Sequence, residues 1–243
     1  VKKPPYSRPQ TLSDPYNDWH SGQAERLLEV PDDKLEWHHY QGYLGPHLPA
    51  GTYEESVYFL PGAFRMLKEE EEHSLDLADP IIGFISKNAS QLEADDLLES
   101  CRTEVMECLG QWTQTFAVIH FDRDACLKKG WKRLYFDYVK GIETVCQMLS
   151  ELDRFEKHAD LADRFITSLA QPTVEPTKSA WFLELVRSQN DVYASPNRPV
   201  FQNLFTNEDG LLQKQLVVEK YIVNKTASPT YWRDTFREIG LSY

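Results

Sequence analysis

Apolar residues recur along most of this chain in alternating steps of three and four, the spacing that keeps them on one face of a helix. Tyr53, Val57, Leu60, Phe64 and Leu67 form one such stripe. Pro61 falls inside it, and a proline lacks the amide donor and crowds the preceding turn. A kink or break is therefore expected at Leu60-Pro61-Gly62, with a second helix starting there. Further on, Leu98, Cys101, Val105, Cys108, Trp112 and Thr115 make a second stripe. The longest series runs Trp131, Tyr135, Tyr138, Ile142, Val145, Leu149 and Leu152, then Phe155, His158, Ala162, Phe165 and Leu169. It predicts either one very long helix or two that meet near Asp153. Residues 119–124 provide the turn between the second stripe and the third, which predicts an antiparallel helical hairpin spanning about 94–118 and 130–169.

Shorter helical patterns flank this spine, over 16–29, 32–44 and 52–73, punctuated by Pro31, Pro46 and Pro49. Lys178 to Asn190 reads as a helix burying Trp181, Phe182 and Leu185, and Glu208 to Val223 as another. The last helix carries a full set of boundary signals. Ser228 is placed to cap it, Pro229 occupies its first turn, and Trp232, Phe236 and Ile239 form its apolar stripe. Gly240 follows where a left-handed residue closes a helix. Residues 1–14 read as an extended N-terminal arm, because Pro4, Pro5 and Pro9 deny it a helix. Strand signals are scarce. The expected fold is all-α, a single helical domain over 15–243 built around the long antiparallel hairpin with shorter helices packed on it. Trp112, Tyr138, Ile142 and Leu149 are expected in its core.

Composition supports folding without a staple: 243 residues, 41% hydrophobic and 12% aromatic, are enough to bury a core unaided. Cys101, Cys108, Cys126 and Cys146 form no C-x-x-C pair and lie in apolar helical patterns, as buried reduced thiols do, so a reducing, cytoplasmic compartment is expected. Val1 to Pro15 has no apolar run, and no signal peptide is read there.

Charge changes the picture more. The net charge of −12 argues against nucleic acid and membrane surfaces as partners, since both are held by clustered Lys and Arg. From Glu54 to Glu107 there are fourteen acidic residues against four basic ones, so this stretch holds ten of the twelve net negative charges. A basic knot at Lys128, Lys129, Lys132 and Arg133 follows it. A molecule charged in this lopsided way steers a basic protein partner.

Candidate chemistry is thin. Two Glu-x-x-His units, Glu36 to His39 and Glu70 to His73, have the three-residue spacing with which a helix face can chelate a metal, and Glu104, Glu107 and Glu143 could complete a di-metal carboxylate site. Against this, Glu70 belongs to the run Glu69 to Glu72, the pattern of a solvated face. Neither metal nor another cofactor is expected. His38 and His39, being adjacent, should project to different sides of a helix; His120-Phe121-Asp122 sits in a turn; His158 falls on an apolar stripe as a buried structural histidine. No nucleophile elbow, phosphate-binding loop or dinucleotide fingerprint is present, and the balance is against an enzyme.

The large amphipathic side chains of Trp37 and Tyr40 are of the type enriched at interaction hot spots. Together with Glu69, Glu70, Glu71, Glu72, Asp95, Asp96 and Glu99 they form the predicted partner-binding set. In being acidic and devoid of enzymatic motifs, the chain resembles in general character bacterial immunity proteins, which neutralise a cognate toxin. The expectation is an immunity or inhibitor-type protein that occludes a basic partner. A helical metalloenzyme using Glu36, His39, Glu70 and His73, and a scaffold or adaptor subunit, are the alternatives.

Overall fold

A computed structural model describes residues 1–13, 26–44, 51–69, 74–115, 118, 120–121, 145, 148–149, 152, 158–189, 207–224 and 227–242. Among these residues every regular element is helical. The elements are α1 (Trp37–Leu44), α2 (Tyr53–Lys68), α3 (Ala78–Lys87), α4 (Ala89–Ala94), α5 (Leu98–Thr115), α6 (Ala159–Ala170), α7 (Pro176–Gln189), α8 (Glu208–Val223) and α9 (Pro229–Glu238), with 3-10 turns at Asp32–Lys34 and Ser74–Leu77. The all-α class read from the spacing is the class observed. The chain divides into two compact units, Val1–Cys108 and Leu109–Tyr243, and the division falls within α5.

In the first unit α2 is the organising helix. Thr52 caps it reciprocally: its hydroxyl accepts from the Glu55 amide while the Glu55 carboxylate accepts from the Thr52 amide, satisfying two end donors at once. Glu54 and Glu55 in the first turn and Arg65 and Lys68 in the last both complement the helix dipole. The stripe Val57, Leu60, Phe64 and Leu67 is buried as its spacing requires. The expected break at Pro61 is absent: α2 runs continuously from Tyr53 to Lys68 with the proline inside it. The reason lies in packing. Leu60, Ala63 and Phe64 on either side of Pro61 are core residues, and Gly62 leaves a slot filled by the Tyr40 ring from α1. That burial outweighs one lost backbone bond. The Ser74–Leu77 turn packs against α1, α2 and α3 together.

In the second unit α7 is central. Its sequence predicted one buried face, but Ser179 through Val186 are buried without interruption, as in a helix covered on all sides. The covering helices are α6, α8 and α9. Helix α6 begins at Ala159, with buried His158 at its N-cap position. Trp112 and Leu149 are buried as expected, whereas Tyr138 and Ile142 lie outside the described residues. So do most of the turn and much of the second arm of the predicted hairpin. Helix α9 follows its boundary signals: Trp232, Phe236 and Ile239 are buried, Gly240 is left-handed at φ 80°, and the Leu241 amide donates back to the Phe236 carbonyl at 2.8 Å. The Ser228 side chain, though at the N-cap position, makes no capping bond.

Candidate interaction surface

The acidic residues of the predicted binding set fall into two groups. Asp95, Asp96 and Glu99 gather where α4 passes into α5, a junction sharp enough to put Asp96 at φ 57°. Asp95 accepts hydrogen bonds from two phenols, Tyr6 at 2.6 Å and Tyr53 at 2.8 Å. Its charge raises both hydroxyls: the hydrogen bond to Asp95 pushes Tyr6 up to about 12, and Tyr53 is raised by burial and then by the same bond. Asp96 and Glu99 project outward, their side chains 89% and 78% exposed, and pair with Lys2 at 2.6 Å and Arg102 at 3.1 Å.

The second group lies at the far end of α2. Tyr53, which reaches Asp95, begins that helix, and Glu69 follows its last residue. Glu69 is 3.9 Å from Arg65. Beside it Lys68 bonds both Glu104 and Glu107. Burial alone would lower the Lys68 ammonium, but its two carboxylate partners outweigh that and leave it raised. Glu104 also meets the Val1 ammonium while Lys2, the next residue, pairs with Asp96, so the N-terminal arm links the two groups; Glu70, Glu71 and Glu72 lie outside the described residues.

The aromatic part of the predicted set divides as well. Trp37 is half-buried at the start of α1, edge-on to His38 with ring centroids 5.9 Å apart. Tyr40, by contrast, is only 1% exposed and belongs to the core. Burial drives its hydroxyl up to about 12. As a surface anchor Tyr40 is therefore corrected: Gly62 opposite it has no side chain, and the ring fills that space.

The metal-binding alternative keeps less. Glu36 and His39 are near each other, but what joins them is the Glu36 amide donating to Nδ1 of His39 at 3.0 Å, which ties up one imidazole nitrogen in a cap on α1. Burial lowers the His39 pKa, and His38 adds to this. The two imidazoles do not diverge as adjacent helical residues should; their centroids are 4.0 Å apart, because His39 turns back toward Glu36 at the helix start. Glu70 and His73 lie outside the described residues. Among the described residues no group of three or more His, Cys, Asp or Glu side chains could hold a metal ion.

Two features were not found by sequence reasoning. The first is the docking of the N-terminal arm, whose Lys2, Tyr6 and Arg8 bind across the first unit. The second is a buried polar cluster in the second unit. There Tyr231 donates to the buried Glu184 carboxylate, Arg187 stands 3.4 Å from Glu184 and 3.6 Å from Glu238, and the His120 ring stacks on Tyr231 at 3.8 Å. Burial pushes the Glu184 carboxyl up despite Arg187, and burial followed by the same guanidinium lowers His120. The His120 carbonyl accepts from Ser228 N at 2.8 Å and Trp232 Nε1 at 2.7 Å, so the cluster ties the turn at 120–121 to α9. A lone Glu in the apolar run of α7 was the available signal.

No helix among the described residues is long and apolar enough to cross a membrane. No protein-family model matches the chain, and neither the curated proteins nor the solved structures compared with it gave a match.

Proposed function

We propose that this chain is an acidic helical protein-binding protein that docks on a basic partner and neutralises it by occlusion, as an immunity protein does with a cognate bacterial toxin. The observation that carries the reading is the concentration of ten net negative charges between Glu54 and Glu107, with Asp96 and Glu99 held outward at a fixed junction. Complementary charge accelerates encounter, and a half-buried aromatic such as Trp37 then lengthens residence. A reducing, cytoplasmic setting suits the buried free thiols Cys101 and Cys108.

The test is kinetic. Reversal of Asp96, Glu99 and the Glu69–Glu72 run to Lys should slow association with a partner recovered by pull-down about tenfold or more at low ionic strength, and flatten the salt dependence. Thermal stability should change little, since exposed pairs contribute about 0–1 kcal/mol each. Replacement of Trp37 by Ala should act on dissociation instead. An association rate unmoved by charge reversal at low salt would sink the proposal.

A further inference from the structure

Helix α8 is apolar on two sides. Its inner side, with Leu211, Val218 and Ile222, is buried, and the helix packs on α7. Among the described residues four large apolar side chains are exposed, and three of them belong to the other side of α8: Leu212 at 46%, Leu216 at 52% and Val223 at 79%. At about 100° of rotation per residue these three fall within about 40° of one another around the axis, a second stripe turned away from the first. Contiguous apolar surface of this kind marks a place where another surface packs.

The charges beside the stripe identify what covers it. Asp209 in the first turn and Lys220 in the last are both exposed, and they lie on the same flank of the stripe, about 20° apart around the axis. Neither makes an ion pair among the described residues. If a second copy of α8 lies antiparallel to the first, about a two-fold axis midway between Leu212 and Leu216, each Leu212 stands across from Leu216 of the second copy. The same register brings each Asp209 within one residue, about 1.5 Å along the axis, of Lys220 of the second copy. A two-fold axis in the seam keeps like flanks together, so the acidic first turn of one helix meets the basic last turn of the other. The opposed helix dipoles add to the match. On the other flank Glu219 is drawn to its own Gln215, whose Nε2 donates to it at 2.7 Å. A parallel pairing of the same stripe would set Asp209 against Asp209 and Lys220 against Lys220.

We propose that the face of α8 bearing Leu212, Leu216 and Val223 is a homodimerisation surface, on which a second copy of this chain packs its own α8 antiparallel about a two-fold axis. The surface belongs to the second unit and uses none of the carboxylates between Glu54 and Glu107, so it stands or falls apart from the docking face. One helix pair buries less than a standard interface, and the dimer is therefore reversible, forming at micromolar and higher concentrations.

Sedimentation equilibrium of the full chain from about 1 µM to about 1 mM is the test. The average mass should rise from that of one chain toward that of two. Leu216→Glu places a charge in the seam at a half-exposed position. It should weaken the dimer about a hundredfold, because the two-fold axis applies the loss twice, and leave the urea midpoint unchanged. Asp209→Lys alone and Lys220→Asp alone should each weaken self-association about tenfold, by turning two attractive contacts into repulsive ones. An equimolar mixture of these two variants should regain the affinity of the parent, since every contact again joins opposite charges, and that recovery would also show both variants to be folded. A chain that stays monomeric throughout the range would overturn the proposal. So would a dimer that Leu216→Glu leaves intact, because it would use another surface. A dimer lost with Leu216→Glu but indifferent to both charge reversals would overturn the antiparallel pairing.

Discussion

A Cβ at position 62 would stand 2.1 Å from the Tyr40 hydroxyl oxygen and 2.9 Å from its ring carbon, so the glycine is required by a neighbour rather than by its backbone. Replacing Gly62 by Ala should destabilise the chain by about 1–3 kcal/mol through overpacking. Adding Tyr40→Phe, which removes the nearer atom, should return part of that loss; urea midpoints of the single and double variants check both. Lys214 shows the opposite case, a residue whose chemistry the fold resists. It is 1% exposed on α8, donates to the Gln171 carbonyl at 2.5 Å, and sits 5.5 Å from the Phe182 ring centroid. Burial, with Lys178 nearby, lowers its pKa from 10.5 to about 8. Between those values the unfolded chain binds the extra proton, so stability rises with pH across that window and the full penalty applies below it. Lys214→Met should therefore stabilise the chain at pH 7 by about 1–3 kcal/mol, the gain shrinking toward pH 10. A gain independent of pH would show that the effect is packing alone.

At the scale of elements, Pro61 marks where local rules and packing part. Its missing amide is a defect in α2 that the core tolerates, and Pro61→Ala should restore the donor and stabilise the helix by about 1–3 kcal/mol. An unchanged urea midpoint would mean that the surrounding core has adapted to the proline. The same contest explains what the sequence made legible. Spacing located α2, α5, α7, α8 and α9 because their buried residues recur at the helical period, and α9 even announced its ends through Pro229 and Gly240. It missed the continuity of α2 because Tyr40, which fills the gap at Gly62, comes from another helix. It missed the full burial of α7 because Ser179 and Glu184 read as polar, and Tyr231, far along the chain, joins Arg187 in making burial of the carboxylate tolerable. The acidic set was legible as charge but not in its pairing, since Lys2 and Lys68, which meet Asp96 and Glu104, are brought there by the fold. Exposure of Tyr40 could not be read from its type, because aromatics serve cores and surfaces alike.

Across the whole molecule, the ten charges between Glu54 and Glu107 are placed by a unit whose interior contains Cys101 and Cys108, one α5 turn from Glu104 on either side. Burial pushes both thiols up to about 12, so neither supplies thiolate while the first unit is closed. Each is fully enclosed, on the face of α5 opposite to solvent. An alkylating reagent can reach them only through an opening of that unit. The rate at which mass is added at these two positions is therefore a clock for the opening.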